Sequence, residues 1–354
     1  MPTFCRHNRF IDRCPICSKA QPGRSGGGGS SRRTGPARGS SPRRSPARQA
    51  TRLPRRPGGE SLRVHREGRA EDDGYRSALL PGVVASTEAT RLIEEIAFSS
   101  GRLLALGTAP PGLYGEARAL AEHDLEQATW TCFLISYLCP LSPVADGEDP
   151  FAGIRMALEM GFDGGAPAGG IPLGPRTSHD PARGTTTLEA YRRWVERSGS
   201  SAVGAGAPAL RAAHRGAQAR AFIGEPGWSP ERRFERLYER LALPGFGRAG
   251  RYDLLVTLGC LGLYELRADS LHLPSGRLSS NDLTTLAAKR LFAIGDPIHL
   301  ERRAAALAEA IAIPVETLDV ALANWASPQR ATLGFPADTS DPLALERARD
   351  ALAL

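Results

Sequence analysis

From about Pro81 to the C-terminus, apolar residues recur every three to four positions, the spacing that puts them on one face of an α-helix. The pattern predicts helices over Thr87–Leu106, Glu116–Leu138, Phe151–Met160, Leu188–Arg197 and Ala207–Phe222. It predicts six more over Glu231–Leu243, Arg248–Leu266, Asp282–Phe292, Ile298–Ile311, Val315–Trp325 and Leu343–Leu352. Three starts are marked by a capping side chain before a proline, at Ser229-Pro230, Asp296-Pro297 and Asp341-Pro342. Residues 161–185 are rich in Gly and Pro and read as a long loop, a length uncommon without a function. No run alternates as a strand does, so the expected class is all-α. Cys132, Cys139 and Cys260 sit within apolar stretches and are expected in the core, as are Trp130, Trp228 and Trp325, which are read as core rather than as platforms for a base.

Upstream the pattern stops. Residues 19–80 hold Gly, Ser, Pro and Arg with few large apolar side chains, too little to offset the entropy of ordering. We read them as a disordered, cationic linker between a small N-terminal unit, residues 1–18, and the helical domain, residues 81–335, with residues 336–354 adding a C-terminal helix. Charge follows the same division. The chain has a formal net charge of +7, yet its first 80 residues carry 18 basic and 6 acidic side chains. The remainder is therefore net acidic, and a nucleic-acid-binding face on the helical domain must be local. No apolar run is long enough for a membrane span and none resembles a signal peptide, which points to the cytoplasm, including association with the nucleoid.

The N-terminal unit carries Cys5, His7, Cys14 and Cys17 in the spacing C-x-H-x6-C-x2-C. Four such ligands within thirteen residues close a tetrahedron around zinc, and in so short a fragment the metal would supply the folding energy. The alternative is a redox C-x2-C pair, but the βαβ context of that motif is missing. A structural zinc is the expected cofactor.

The most informative stretch is L-P-G-F-G-R at 243–248, between two strong helical patterns. Gly245 and Gly247 permit a tight turn whose N–H groups point out from the start of the second helix, where an anion is favoured. With Phe246, Arg248 and Arg251 they form the expected phosphate-binding group. An ordinary corner between two helices reads equally well from these residues alone.

This phrase resembles the hairpin signature of the helix-hairpin-helix DNA glycosylase superfamily, and the resemblance extends to L-R-A-D-S-L-H-L at 266–273. Glycosylases carry a catalytic aspartate near this distance, displaced by two residues from Asp269. The position at which bifunctional members carry a nucleophilic lysine is Ala249 here, and no cysteine follows Cys260 to hold an iron–sulfur cluster. The phrases W-S-P-E-R-R-F-E-R-L at 228–237 and K-R-L-F-A-I-G-D-P at 289–297 look like the alpha-glutamyl/putrescinyl-thymine pyrophosphorylase group, a helical offshoot of that superfamily. The resemblance covers most of residues 85–335. It implies a helix-hairpin-helix glycosylase-like domain and displacement of pyrophosphate from a modified thymine precursor in DNA by an amine co-substrate.

On that reading the base is rotated out of the stack and Asp269 supports charge or a nucleophile. Arg232 and Lys289 are candidates at the reacting group, Lys289 being the one lysine beyond Lys19. Arg176 and His179 in the long loop are further candidates. Arg232 and Arg236 also alternate with Glu231, Glu235 and Glu239, as on a solvated face. Two other classes stay open: a non-catalytic DNA-binding module, and a protein-interaction scaffold whose hairpin is structural.

Overall fold

The computed structural model describes residues 70–139, 148–159, 181–201, 216–225, 227–276 and 281–354. The chain divides into two units, residues 1–65 and 66–354, and every described residue belongs to the second. The candidate zinc ligands Cys5, His7, Cys14 and Cys17, and the loop candidates Arg176 and His179, lie outside the described residues. Among the described residues the regular elements are helical, as the apolar spacing predicts. None of these helices is long and apolar enough to cross a membrane.

In chain order the helices are α1 Ser86–Thr108, α2 Gly112–Leu120, α3 Leu125–Leu138, α4 Ala152–Glu159, α5 Pro181–Ser201 and α6 Ala217–Ile223. They continue as α7 Pro230–Arg240, α8 Arg248–Cys260, α9 Leu283–Phe292, α10 Pro297–Ile311, α11 Thr317–Ala326 and α12 Pro342–Leu352. α1 is buried on every side from Glu95 to Arg102 and packs against α8, α11 and α12. α3 is buried from Ala128 to Leu138 and packs against α2, α4, α6 and α8. A helix apolar all round belongs inside a bundle. The hydroxyls of Thr129 and Thr131 on α3 donate to carbonyls one turn back, at Leu125 and Gln127, which satisfies them without a partner helix.

Several boundaries differ from the sequence pattern for local reasons. The predicted Glu116–Leu138 helix is two, because Asp124 accepts the amide of Gln127 and starts α3 afresh. The start of α5 at Pro181 takes in the last five residues of the predicted 161–185 loop. α8 stops at Cys260 rather than Leu266. Gly262 takes a left-handed conformation (φ 74°), and the amides of Gly262 and Leu263 turn back to the carbonyls of Gly259 and Leu258. This closes the helix in the manner of a glycine C-terminal cap and leaves residues 261–274 to form a turn.

Ser229, Asp296 and Asp341 cap α7, α10 and α12 with their side chains, as the three Xaa-Pro pairs predict. The domain begins earlier than Pro81: Leu80 is fully buried, and the Tyr75 hydroxyl donates to the carbonyl of Leu352, 2.9 Å away. α12 packs against α1 and α10, so residues 336–354 form part of the same body. Trp130, Trp228 and Trp325 are buried, as are Cys132 and Cys139, while Cys260 is half-buried.

Candidate functional site

α7, a short turn and α8 form the helical hairpin. The inner face of α7 carries Arg233, Phe234, Leu237 and Tyr238; Arg232, Glu235, Arg236 and Glu239 are exposed. Gly245 makes the turn with φ 76°, a conformation that disfavours any residue with a Cβ. Phe246 is buried and packs edge-on against Phe133 and Tyr137 of α3, which pins the turn to the core.

Gly247 is different. It is the N-cap of α8 with φ −70° and ψ 177°, ordinary extended backbone, and it offers no side-chain cap. A Cβ placed there would meet nothing within 4 Å. Nothing in the fold requires glycine at 247. Its effect is to leave the first-turn amides of α8 without the side-chain oxygen that normally accepts from them.

These amides open onto a cleft of about 720 Å³. Its walls come from the hairpin turn and first turn of α8, the start of α9 at Asn281–Thr284, the α11 residues Asp319, Val320, Ala323 and Asn324, and the segment Ser327–Leu333. Ala249, where a nucleophilic lysine would stand in a bifunctional glycosylase, lies in this wall. So does Arg251, whose guanidinium stacks on the Tyr238 ring and donates to the Tyr238 carbonyl at 2.9 Å. Burial holds the Arg251 pKa below its usual value, against the pull of Tyr238. Arg330 is also in the wall, paired bidentately with the buried Glu95.

Arg248 is not placed as a phosphate ligand. It is 7% exposed and turns inward from the start of α8. Nε donates to Asp282 at 2.7 Å, and Nη2 donates to Thr284 at 2.7 Å and to Asp319. Nη1 donates to the Leu271 carbonyl at 2.9 Å. Burial opposes its charge, but the Asp319 and Asp282 carboxylates outweigh it and hold the pKa above the ordinary arginine value. With four of its five N–H groups committed inside the fold, this guanidinium is held away from a DNA phosphate. It joins the cleft to the turn that carries Asp269.

That turn, residues 266–274, contains no regular structure and is held by side chains. Glu301 of α10 accepts the amides of Leu271 (2.8 Å) and Leu273 (2.6 Å). Glu316 accepts the amide of Ala268 at 3.0 Å, and the Tyr252 hydroxyl donates to the Ser270 carbonyl at 3.0 Å. His272 is left-handed (φ 52°), with its ring stacked on Tyr238 and Phe234. Its Nε2 is buried and finds no partner. Burial pushes the His272 pKa down, against the opposing pull of Asp269 and Glu235. Burial likewise raises Glu301 and Glu316, against the amides they accept. Asp269 is exposed at the apex. It is near enough to bear electrostatically on His272, Glu301 and Glu316.

The structure thus gathers Gly247, Phe246, Arg248 and Arg251 at the cleft, with Asp269 on the adjoining turn. Neither Arg232 nor Lys289 is in the cleft wall: Arg232 is on the outer face of α7, and Lys289 is half-buried in the last turn of α9. Sequence reasoning missed Asp319, Glu301, Glu316 and Arg330. Asp319 left a signal, as a lone carboxylate inside the apolar run L-D-V-A-L at 318–322. Glu301 and Glu316 left none, since each serves backbone amides distant in sequence.

A family model described as alpha-glutamyl/putrescinyl thymine pyrophosphorylase clade 3 matches residues 209–333. Every wall residue of the cleft, from Tyr238 to Leu333, lies inside that segment, as does the Asp269 turn. Searches of curated proteins and of solved structures return no match.

Proposed function

We propose that this chain is a DNA-modifying enzyme of the thymine pyrophosphorylase kind, built on a helix-hairpin-helix scaffold. The observation that carries the reading is the coincidence of the matched segment with the cleft wall, at whose edge Gly247 leaves a helix N-terminus uncapped. The first-turn amides of α8 take a backbone phosphate of the duplex, and the extruded base enters the cleft, whose volume suits a ligand of that size.

The reaction is a displacement at the methylene carbon attached to the base. The amine forms the C–N bond as the C–O bond to pyrophosphate breaks, and pyrophosphate departs with the electron pair. The amine's proton passes to a carboxylate, for which Asp269 is the candidate. Arg251, a cation in the cleft wall beside the open amides, balances charge on the leaving group. Arg232 and Lys289 are assigned approach of the DNA strand rather than the chemistry. An N-terminal zinc on Cys5, His7, Cys14 and Cys17 stays part of the proposal as a structural element.

The test is pyrophosphate release from a duplex carrying pyrophosphorylated 5-hydroxymethyluracil, with putrescine as the amine. We expect release coupled to amine incorporation, and its loss in Asp269→Asn with duplex binding retained. Free base in place of amine adduct would indicate glycosylase chemistry. A second reading, a non-catalytic DNA-binding module, is favoured by one observation: Asp269 is not in the cleft wall. Duplex binding with no product under any amine would select it.

A further inference from the structure

The turn that presents Asp269 is held in an unusual way. Its amides and carbonyls are not paired within a helix or ladder but by side chains from two helices, α8 and α10, and the start of α11: Tyr252 and Arg248, Glu301, and Glu316. At its centre His272 has φ 52°, a left-handed conformation uncommon outside glycine, although histidine adopts it more readily than most residues. The two amides that flank this residue, Leu271 and Leu273, are the two that Glu301 grips, one on each carboxylate oxygen.

Glu301 itself is half-buried on α10. The charges that bear on it are Arg248 of α8, which is committed to Asp282 and Asp319, and Asp269 on the turn, which repels it. A neutral glutamine has one oxygen and accepts one of these amides well. A carboxylate takes one amide on each of its two oxygens, an arrangement that a glutamine, with an NH2 in one of the two places, does not reproduce. A carboxylate has therefore been drawn half out of solvent, where Asp269 opposes its ionisation, and both its oxygens serve one backbone geometry.

We infer that Glu301 is a positioning residue for Asp269: by holding the amides on both sides of left-handed His272, it sets the direction in which Asp269 is presented. The role in turnover rests on the proposed function; the clamp on the turn does not. Glu316 accepts only one amide of the turn, that of Ala268, which a glutamine oxygen reproduces, so the two carboxylates are chemically distinguishable.

The experiment compares the full chain as wild type, Glu301→Gln and Glu316→Gln. It follows amide hydrogen exchange at Leu271 and Leu273, duplex affinity, kcat for pyrophosphate release, and the thermal midpoint. In Glu301→Gln we expect faster exchange at those two amides and a kcat lower by roughly 100-fold, the scale of an ångström of misplacement. Duplex affinity and the thermal midpoint at neutral pH should stay near wild type. Glu316→Gln should lose much less. Wild-type turnover by Glu301→Gln overturns the inference, as does unchanged exchange at Leu271 and Leu273. A parallel fall in kcat, affinity and thermal midpoint also overturns it, because that is the mark of general destabilisation. A wild-type chain that binds duplex but releases no pyrophosphate defeats the proposed reaction instead. Exchange at the two amides then decides alone whether Glu301 holds the turn.

Discussion

Arg248 is the residue whose surroundings say most about its purpose. Its guanidinium satisfies two carboxylates, a hydroxyl and a carbonyl from three separate segments, and its side chain is 5% exposed. Arg248→Met leaves Asp282 and Asp319 without their partner in a largely buried setting. A stability loss of about 3–5 kcal/mol is expected on urea unfolding; a loss under about 1 kcal/mol would mean the network is not what holds this junction. His272 gives a second prediction. Its folded pKa lies below the 6.5 of the free side chain, so the unfolded chain takes up a proton first as pH falls. Its contribution is complete above pH 6.5 and is lost as pH drops toward the folded value. Glu301 and Glu316 act in the opposite sense, since their raised pKa values favour the folded state at low pH. His272→Asn keeps a residue tolerant of φ 52° but removes the titration. Its thermal midpoint should fall less between pH 7 and 6 than that of the wild type. Identical slopes would show that His272 is not titrating against the fold. None of this was legible in the sequence, where Arg248 reads as a surface phosphate ligand because only its neighbours in sequence are visible.

At the scale of elements, helix spacing and capping pairs located most helices, because both signals are local. The end of α8 was not legible. Apolar residues continue to Leu266, and only the left-handed Gly262 and its returning hydrogen bonds break the helix. That break makes the Asp269 turn possible. The turn then doubles back onto α8 so closely that a Cβ at Gly259 would come within 2.4 Å of the Leu266 carbonyl oxygen. The contact is backbone, with no flexible side chain to yield. Gly259→Ala is expected to cost roughly 1–3 kcal/mol by chemical denaturation and to lower turnover by shifting the turn. A neutral Gly259→Ala would contradict the close approach. The hairpin itself was recognisable because L-P-G-F-G joins a turn residue, a core anchor and an open helix start in five positions. Which of these three each residue supplies emerged only from the packing of Phe246 on α3 and the conformation of Gly247.

For the whole molecule, charge and chemistry are divided. The basic excess lies in the first 80 residues, while the cleft and the matched segment lie in the helical domain. The account assigns the arm a sequence-independent attraction to DNA and the hairpin the register of one phosphate. Gly247→Asp separates the two. An aspartate there fits the backbone, caps α8 with its own carboxylate, and keeps stability at or above wild type. It also occupies the amides that a phosphate would take and repels the phosphate. The most direct measurement is duplex affinity of the full chain, wild type beside Gly247→Asp, across a salt series. Affinity lower by about tenfold is expected for the variant at low salt, with a salt slope shallower by about 0.9, the contribution of one phosphate contact. Equal affinities and equal slopes, in a variant at least as stable as the wild type, would contradict it and leave the hairpin as a structural corner.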